Sequence, residues 1–143
     1  MSRHDLDALV EIARAHAHAE EIGDLDGTLA TLDPETVYEL PPLGVTLGGG
    51  AFVRAYYERF FAECMPRFVG YELRNEWVMD DGLGQEYRVD VATPDGSRQH
   101  DILGILTFGD HGLLSGERLY ASDELLRFLF GPLLPDGRSS AAS

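Results

Sequence analysis

The stretch Leu83-Gly84-Gln85-Glu86-Tyr87-Arg88-Val89-Asp90-Val91-Ala92-Thr93, with Pro94-Asp95-Gly96-Ser97 behind it and residues 99–108 beyond, decides the fold. Its middle alternates strictly. Glu86, Arg88 and Asp90 fall on one face of a strand, and Tyr87, Val89 and Val91 fall on the other. The Asp-Gly pair in the turn joins this strand to the next as an antiparallel hairpin. Outward from it the same grammar repeats. Phe68–Met79 reads as a strand closed by Asp80-Asp81-Gly82, and Leu113–Ala121 reads as a last strand after Gly109-Asp110-His111-Gly112.

The chain before this meander is helical. Over residues 5–22, Leu6, Leu9, Val10, Ile12, Ala13, Ala17 and Ile22 form an apolar stripe, and Gly23 supplies a stop. Asp24 suits the N-cap of a short second helix carrying Leu25, Leu29 and Leu32, which Asp33-Pro34 ends. Thr36–Leu40 and Val45–Leu47 read as two short strands, and Ala51–Cys64 as a third helix ended by Met65-Pro66. Gly48-Gly49-Gly50 is not a phosphate loop, since no Lys-Ser/Thr follows. Ser122 or Asp123 caps a short apolar helix, Glu124–Phe130. Segregated helices and a meander define an α+β domain with helices on one face of a curved sheet. The reading predicts one domain over 1–134 and a disordered polar tail over 135–143.

Composition narrows the function. Of 143 residues, 11 are Lys or Arg and 25 Asp or Glu, a net charge of −14 that repels nucleic acid and anionic membranes. No apolar run approaches the ~18 residues of a membrane span. The opening Met1-Ser2-Arg3-His4-Asp5 lacks a signal-peptide apolar region. A single cysteine, Cys64, excludes an internal disulfide and fits a reducing compartment. These features predict a cytoplasmic protein. Strand 99–108 is apolar on both faces, with Ile102, Leu106 and Phe108 on one and Leu103 and Ile105 on the other. Helices cover only one face, so the second predicts a homodimer through the sheet.

The phrases Glu21-Ile22-Gly23-Asp24-Leu25-Asp26, Val37-Tyr38-Glu39-Leu40-Pro41 and Ala51-Phe52-Val53-Arg54-Ala55-Tyr56-Tyr57 resemble the opening half of SnoaL-like polyketide cyclases. Gly116-Glu117-Arg118-Leu119-Tyr120-Ala121-Ser122 resembles that group's last strand. The group belongs to the nuclear transport factor 2-like superfamily. The resemblance implies a cone-shaped fold: three N-terminal helices on a strongly bent, mostly antiparallel sheet, a short C-terminal helix, and an apolar pocket inside. Arg88-Val89-Asp90 also resembles the Arg-x-Asp strand of limonene-epoxide hydrolase relatives, in which an Asp–Arg–Asp set activates water. Here the second Asp position holds Leu119, and Glu117, two residues earlier on the same face, is the substitute.

The resemblance implies that Glu86, Arg88 and Asp90 face the pocket. Carboxylates beside one guanidinium in an apolar hollow can hold an acid and a base at neutral pH. The expected machinery is therefore Asp90 as base, Arg88 orienting it, Glu117 as second acid–base group, and His100 as a further candidate. The expected pocket contacts are Tyr38, Glu39, Tyr56, Phe60, Trp77, Glu86 and Leu119. His16 and His18, at i and i+2 on a helix, point to different faces and make a poor metal pair. Neither metal nor cofactor is expected. The implied activity is cofactor-free acid–base chemistry on a hydrophobic oxygenated metabolite of polyketide, terpenoid or steroid type: cyclisation, isomerisation, dehydration or epoxide hydrolysis. The alternative is a dimeric module that binds a small apolar ligand without chemistry, the charges only closing the cone; an exposed, salt-bridged strand face is the plain structural reading of the same row.

Overall fold

A computed structural model describes residues 3–135. The predicted tail lies outside them except for Pro135. The elements are α1 (Arg3–Glu21), α2 (Leu25–Ala30), β1 (Leu32–Leu40), β2 (Val45–Gly48), α3 (Gly50–Arg59), β3 (Phe68–Val78), β4 (Gly82–Thr93), β5 (Gly96–Phe108), β6 (Leu114–Tyr120) and α4 (Asp123–Phe130). All six strands form one curled, unclosed sheet in the order β2-β1-β6-β5-β4-β3. Only β1 and β6 run parallel. That pairing brings the N-terminal helices beside the end of the meander, because β1 leads directly from them.

The capping chemistry read from the sequence is in place. The Asp24 side chain accepts from the Gly27 amide at 2.9 Å, and Ser122 accepts from Leu125 at 3.1 Å. Several boundaries differ from expectation, among them the start of β5, which is Gly96 rather than Gln99, and two others differ by more. The third helix does not run regularly to Cys64: a π turn takes over at Phe60–Cys64. The strand expected from Thr36 already begins at Leu32, which pairs with Leu114. Its ladder is broken between Leu32 and Val37, and this break accommodates Pro34.

Helix α4 buries Leu125, Leu126, Phe128, Leu129 and Phe130, so it is apolar nearly all round and sits inside the molecule. Phe130 stacks on Tyr56 with centroids 4.6 Å apart. Arg59 donates to the Phe128 carbonyl at 2.8 Å, closing a free carbonyl at the end of α4. Leu40, Leu83, Leu114, Leu125, Leu126 and Tyr57 form the fully buried heart of the core. Each such side chain contributes ~1.5–3 kcal/mol of burial.

Bulges curl the sheet. The β3–β4 register breaks between Phe68 and Gly70 and again between Leu73 and Asn75. The second break reverses the phase of β3. Tyr71 pairs with Val89 on the inner face, whereas Trp77 pairs with Gly84 on the outer one.

Candidate functional site

Inside the curl lies a cavity of about 100 Å³. Its walls come from three helices, a π turn and four strands. Helix α1 supplies Ala13, His16, Ala17 and Glu20; α3 supplies Tyr56 and Tyr57, and the π turn Phe60. Strands β3 to β6 supply Phe68 and Tyr71, then Gln85, Tyr87 and Val89, then Ile102 and Leu106, then Glu117 and Leu119. Leu125 and Leu129 of α4 complete the wall. Residues 13, 16, 17 and 20 share one helix face by the i, i+3, i+4, i+7 rule.

Glu117 is the outstanding group. It pairs with Leu106 across β5–β6, and both turn inward. Room for its carboxyl comes from Gly104: a Cβ there would stand 2.6 Å from Glu117 Oε1. Among the described residues no protein group hydrogen-bonds that carboxyl. Burial raises its pKa, the Glu20 charge raises it further, and His16 offsets part of this, leaving it at about 8. At neutral pH the group is mostly a carboxylic acid able to donate a proton.

Beside it runs a buried hydrogen-bonded chain. The Thr31 hydroxyl donates to the Thr28 carbonyl at 2.7 Å, so toward His16 Nδ1, 2.8 Å away, it can only accept. That fixes the proton of neutral His16 on Nδ1. Its Nε2 then accepts from the Tyr57 hydroxyl at 3.1 Å, which in turn accepts from Tyr38 at 2.9 Å. When His16 takes a second proton, Nε2–H faces Glu20 Oε1 at 3.4 Å. Burial opposes the His16 charge, but the Glu20 charge and hydrogen bond, with Glu117 and a Thr28 backbone contact, outweigh it and raise the pKa above the ordinary value. Burial pushes the Tyr38, Tyr56 and Tyr57 phenols well above their ordinary range, so they act as neutral donors and acceptors.

The structure sorts the residues singled out from sequence. Glu117, Leu119, Tyr56 and Phe60 line the cavity. Tyr38 stands behind the wall and holds Tyr57. The charged row of β4 faces the wrong way for the expected site. Tyr87, Val89 and Val91 take the inner face because they are the apolar set, and a one-residue phase leaves Glu86, Arg88 and Asp90 outside. There Arg88 pairs with Asp101 at 3.0 Å, and Glu86 accepts from Asn75. Glu39 is likewise outside, paired with Arg118 at 3.1 Å. Trp77 lies on the outer face through the β3 bulge and is 48 % exposed. His100 is not at the cavity; it lies at a smaller cleft with Arg98, Glu124 and Phe128, 3.4 Å from the Ser122 hydroxyl. Burial there lowers its pKa. His16 and Glu20 were missed. Their signal was available: both sit on the stripe of Leu9 and Ala13, where a polar side chain meets the core.

No protein-family model and no curated protein matches the sequence. Solved structures do. A protein from a soil-derived mobile gene cassette, Bal32a, aligns with a TM-score of 0.68 at 16% identity over 83% of this chain and 92% of its own. An NTF2-like protein of unknown function from Burkholderia pseudomallei K96243 aligns at 0.65 and 19% identity over 90% and 98%. A protein of ketosteroid isomerase-like fold from Catenulispora acidiphila, solved with trimethylamine, aligns at 0.61 and 14% identity over 80% and 87%. The chain has the nuclear transport factor 2-like fold: a bent sheet, N-terminal helices, and a cone closed by a short C-terminal helix. No helix among the described residues is long and apolar enough to cross a membrane.

Proposed function

We propose that this chain binds a small, largely apolar molecule inside the cone and exchanges a proton with it through Glu117. The observation that carries the reading is the Glu117 carboxyl: half-buried, turned into the cavity, and without a hydrogen-bonding partner among the described residues. A ligand polar group placed in the cavity would find this carboxyl free to pair with it. A carboxyl titrating near neutrality suits general acid–base work. Isomerisation, cyclisation, dehydration and epoxide opening all need such a transfer, and Glu117 can supply it. His16, relayed to Tyr57 and held by Thr31, is the second group able to hold a proton at the same wall. The cavity volume is smaller than the ~150 Å³ that encloses benzene in an engineered core. The cavity therefore takes at most a fragment of about one ring, and a larger ligand would extend beyond it past the exposed Tyr71. The apolar outer side chains Trp77, Leu103 and Ile105 support pairing of two copies through the sheet, which sedimentation measurements would test.

The test uses cyclohex-2-enone in deuterated buffer. Saturation-transfer NMR reads binding, and loss of its acidic C–H signals reads proton exchange. Exchange above the buffer rate in the native chain, lost in Glu117→Gln, supports the proposal. Binding with no exchange favours the module that binds without turnover. No binding by this or other one-ring probes removes the reading.

A further inference from the structure

Resting on the pocket reading above, the charges around the cavity specify its ligand further. Two carboxyls face it, Glu20 and Glu117, and among the described residues no Lys or Arg lines it. The one group there able to carry positive charge is His16, and its protonated Nε2 points at Glu20, 3.4 Å away. The remaining titratable neighbours are the phenols Tyr56 and Tyr57 on α3, Tyr71 on β3 and Tyr87 on β4, with Tyr38 of β1 behind them. Each of these is neutral or negative. So when both carboxyls are ionised and His16 is charged, the wall still lacks one positive charge.

The rest of the wall suits the same conclusion. Tyr57, Phe60, Phe68, Tyr71 and Tyr87 line the space, and aromatic rings attract cations. The whole chain carries a net charge of −14, which raises the local concentration of cations and repels anions. A neutral oxygen acceptor would need only the Glu117 proton; it would leave the ring-lined wall and the negative charge of the chain unused.

We propose that the end of the ligand inserted into the cone carries a basic nitrogen, and that its ammonium pairs with the Glu117 carboxylate among the aromatic rings. The proton balance is simple. A free amine takes the Glu117 proton, forming the ion pair with no net release. An amine arriving as ammonium displaces that proton to solvent, and no covalent bond is made or broken.

Calorimetry with benzylamine and its neutral counterpart benzyl alcohol tests this on the full chain. Benzylamine is expected to bind roughly tenfold or more tighter at pH 7. With Glu117 titrating at about 8, ammonium binding at that pH should release about 0.9 proton per ligand, read from the dependence of heat on buffer ionisation enthalpy. Glu117→Gln should bring the two affinities together and abolish the release while still binding benzyl alcohol. Equal affinities in the native chain, or an amine preference without proton release, would overturn the assignment and leave the pocket reading standing. Failure of both probes to bind would remove the two together. Proton release is measured on the native chain, so the proposal stays testable even where the variant folds poorly.

Discussion

Replacing Glu117 by Gln should change how stability depends on pH more than it changes stability at any one pH. The carboxyl titrates at about 8 in the fold against 4.5 when free. Because the folded value lies above the unfolded one, the unfolded chain gives up this proton first. Above the unfolded value the native state therefore holds the extra proton, and stability falls as pH rises from about 4.5 to about 8, then levels. At 1.36 kcal/mol per unit of displacement, the loss is ~3 kcal/mol by pH 7 and ~5 kcal/mol at its limit. Gln has no proton to lose. Other groups titrate in both proteins and cancel to first order. Urea unfolding of the two proteins at pH 4.5, 6, 7 and 8 would measure it. The difference in unfolding free energy, variant minus native, should rise by ~3 kcal/mol between pH 4.5 and 7. Parallel curves would refute the placement of this carboxyl in a poorly solvated cavity, and with it the acid–base proposal.

Gly104→Ala puts a methyl 2.6 Å from Glu117 Oε1, the free end of a side chain that can swing away. Thermal melting should move by only a few degrees (~1 kcal/mol), while probe binding weakens by roughly tenfold, as calorimetry would record. Tyr57→Phe leaves His16 Nε2 and the Tyr38 hydroxyl without their shared partner. The expected loss in urea is ~1–3 kcal/mol, and the His16 ring proton resonances should titrate at a different pH by NMR. Arg88→Ala removes an ion pair with an exposed Asp101 on the outer face. Its cost should stay within ~1 kcal/mol, with ligand binding unchanged; a loss of binding would place the outer row in the site after all.

The fold was legible because most of its signals are local. Alternation set the strand through Glu86–Val91, Asp-Gly and Gly-rich turns set the hairpins, and Asp24 and Ser122 set two helix starts. The parallel contact of β1 with β6 was not, since it depends on which edge of the sheet the first strand finds. Alternation divides β4 into two faces but does not label either as inner. Tyr87, Val89 and Val91 settle it through burial, against the charged face that the epoxide-hydrolase resemblance favoured. Glu117 and Leu119 were found because a two-residue spacing keeps them on one face. His16 and Glu20 were passed over because Ala13 and Ala17, small neighbours on the same turn, leave their stripe looking unremarkable until a tyrosine from α3 reaches across it.

Strand β3 is an edge strand, paired on one side only, yet it carries Phe68 and Tyr71 of the cavity wall. Val69, Tyr71, Leu73 and Val78 along it are exposed, Tyr71 by 62 %. Local opening is easiest where few buried contacts oppose it. For a guest bound as proposed, the one strand of the cavity wall held on a single side is the flap expected to admit it, and residence time should follow the fraying of that hairpin rather than the strength of the core behind it.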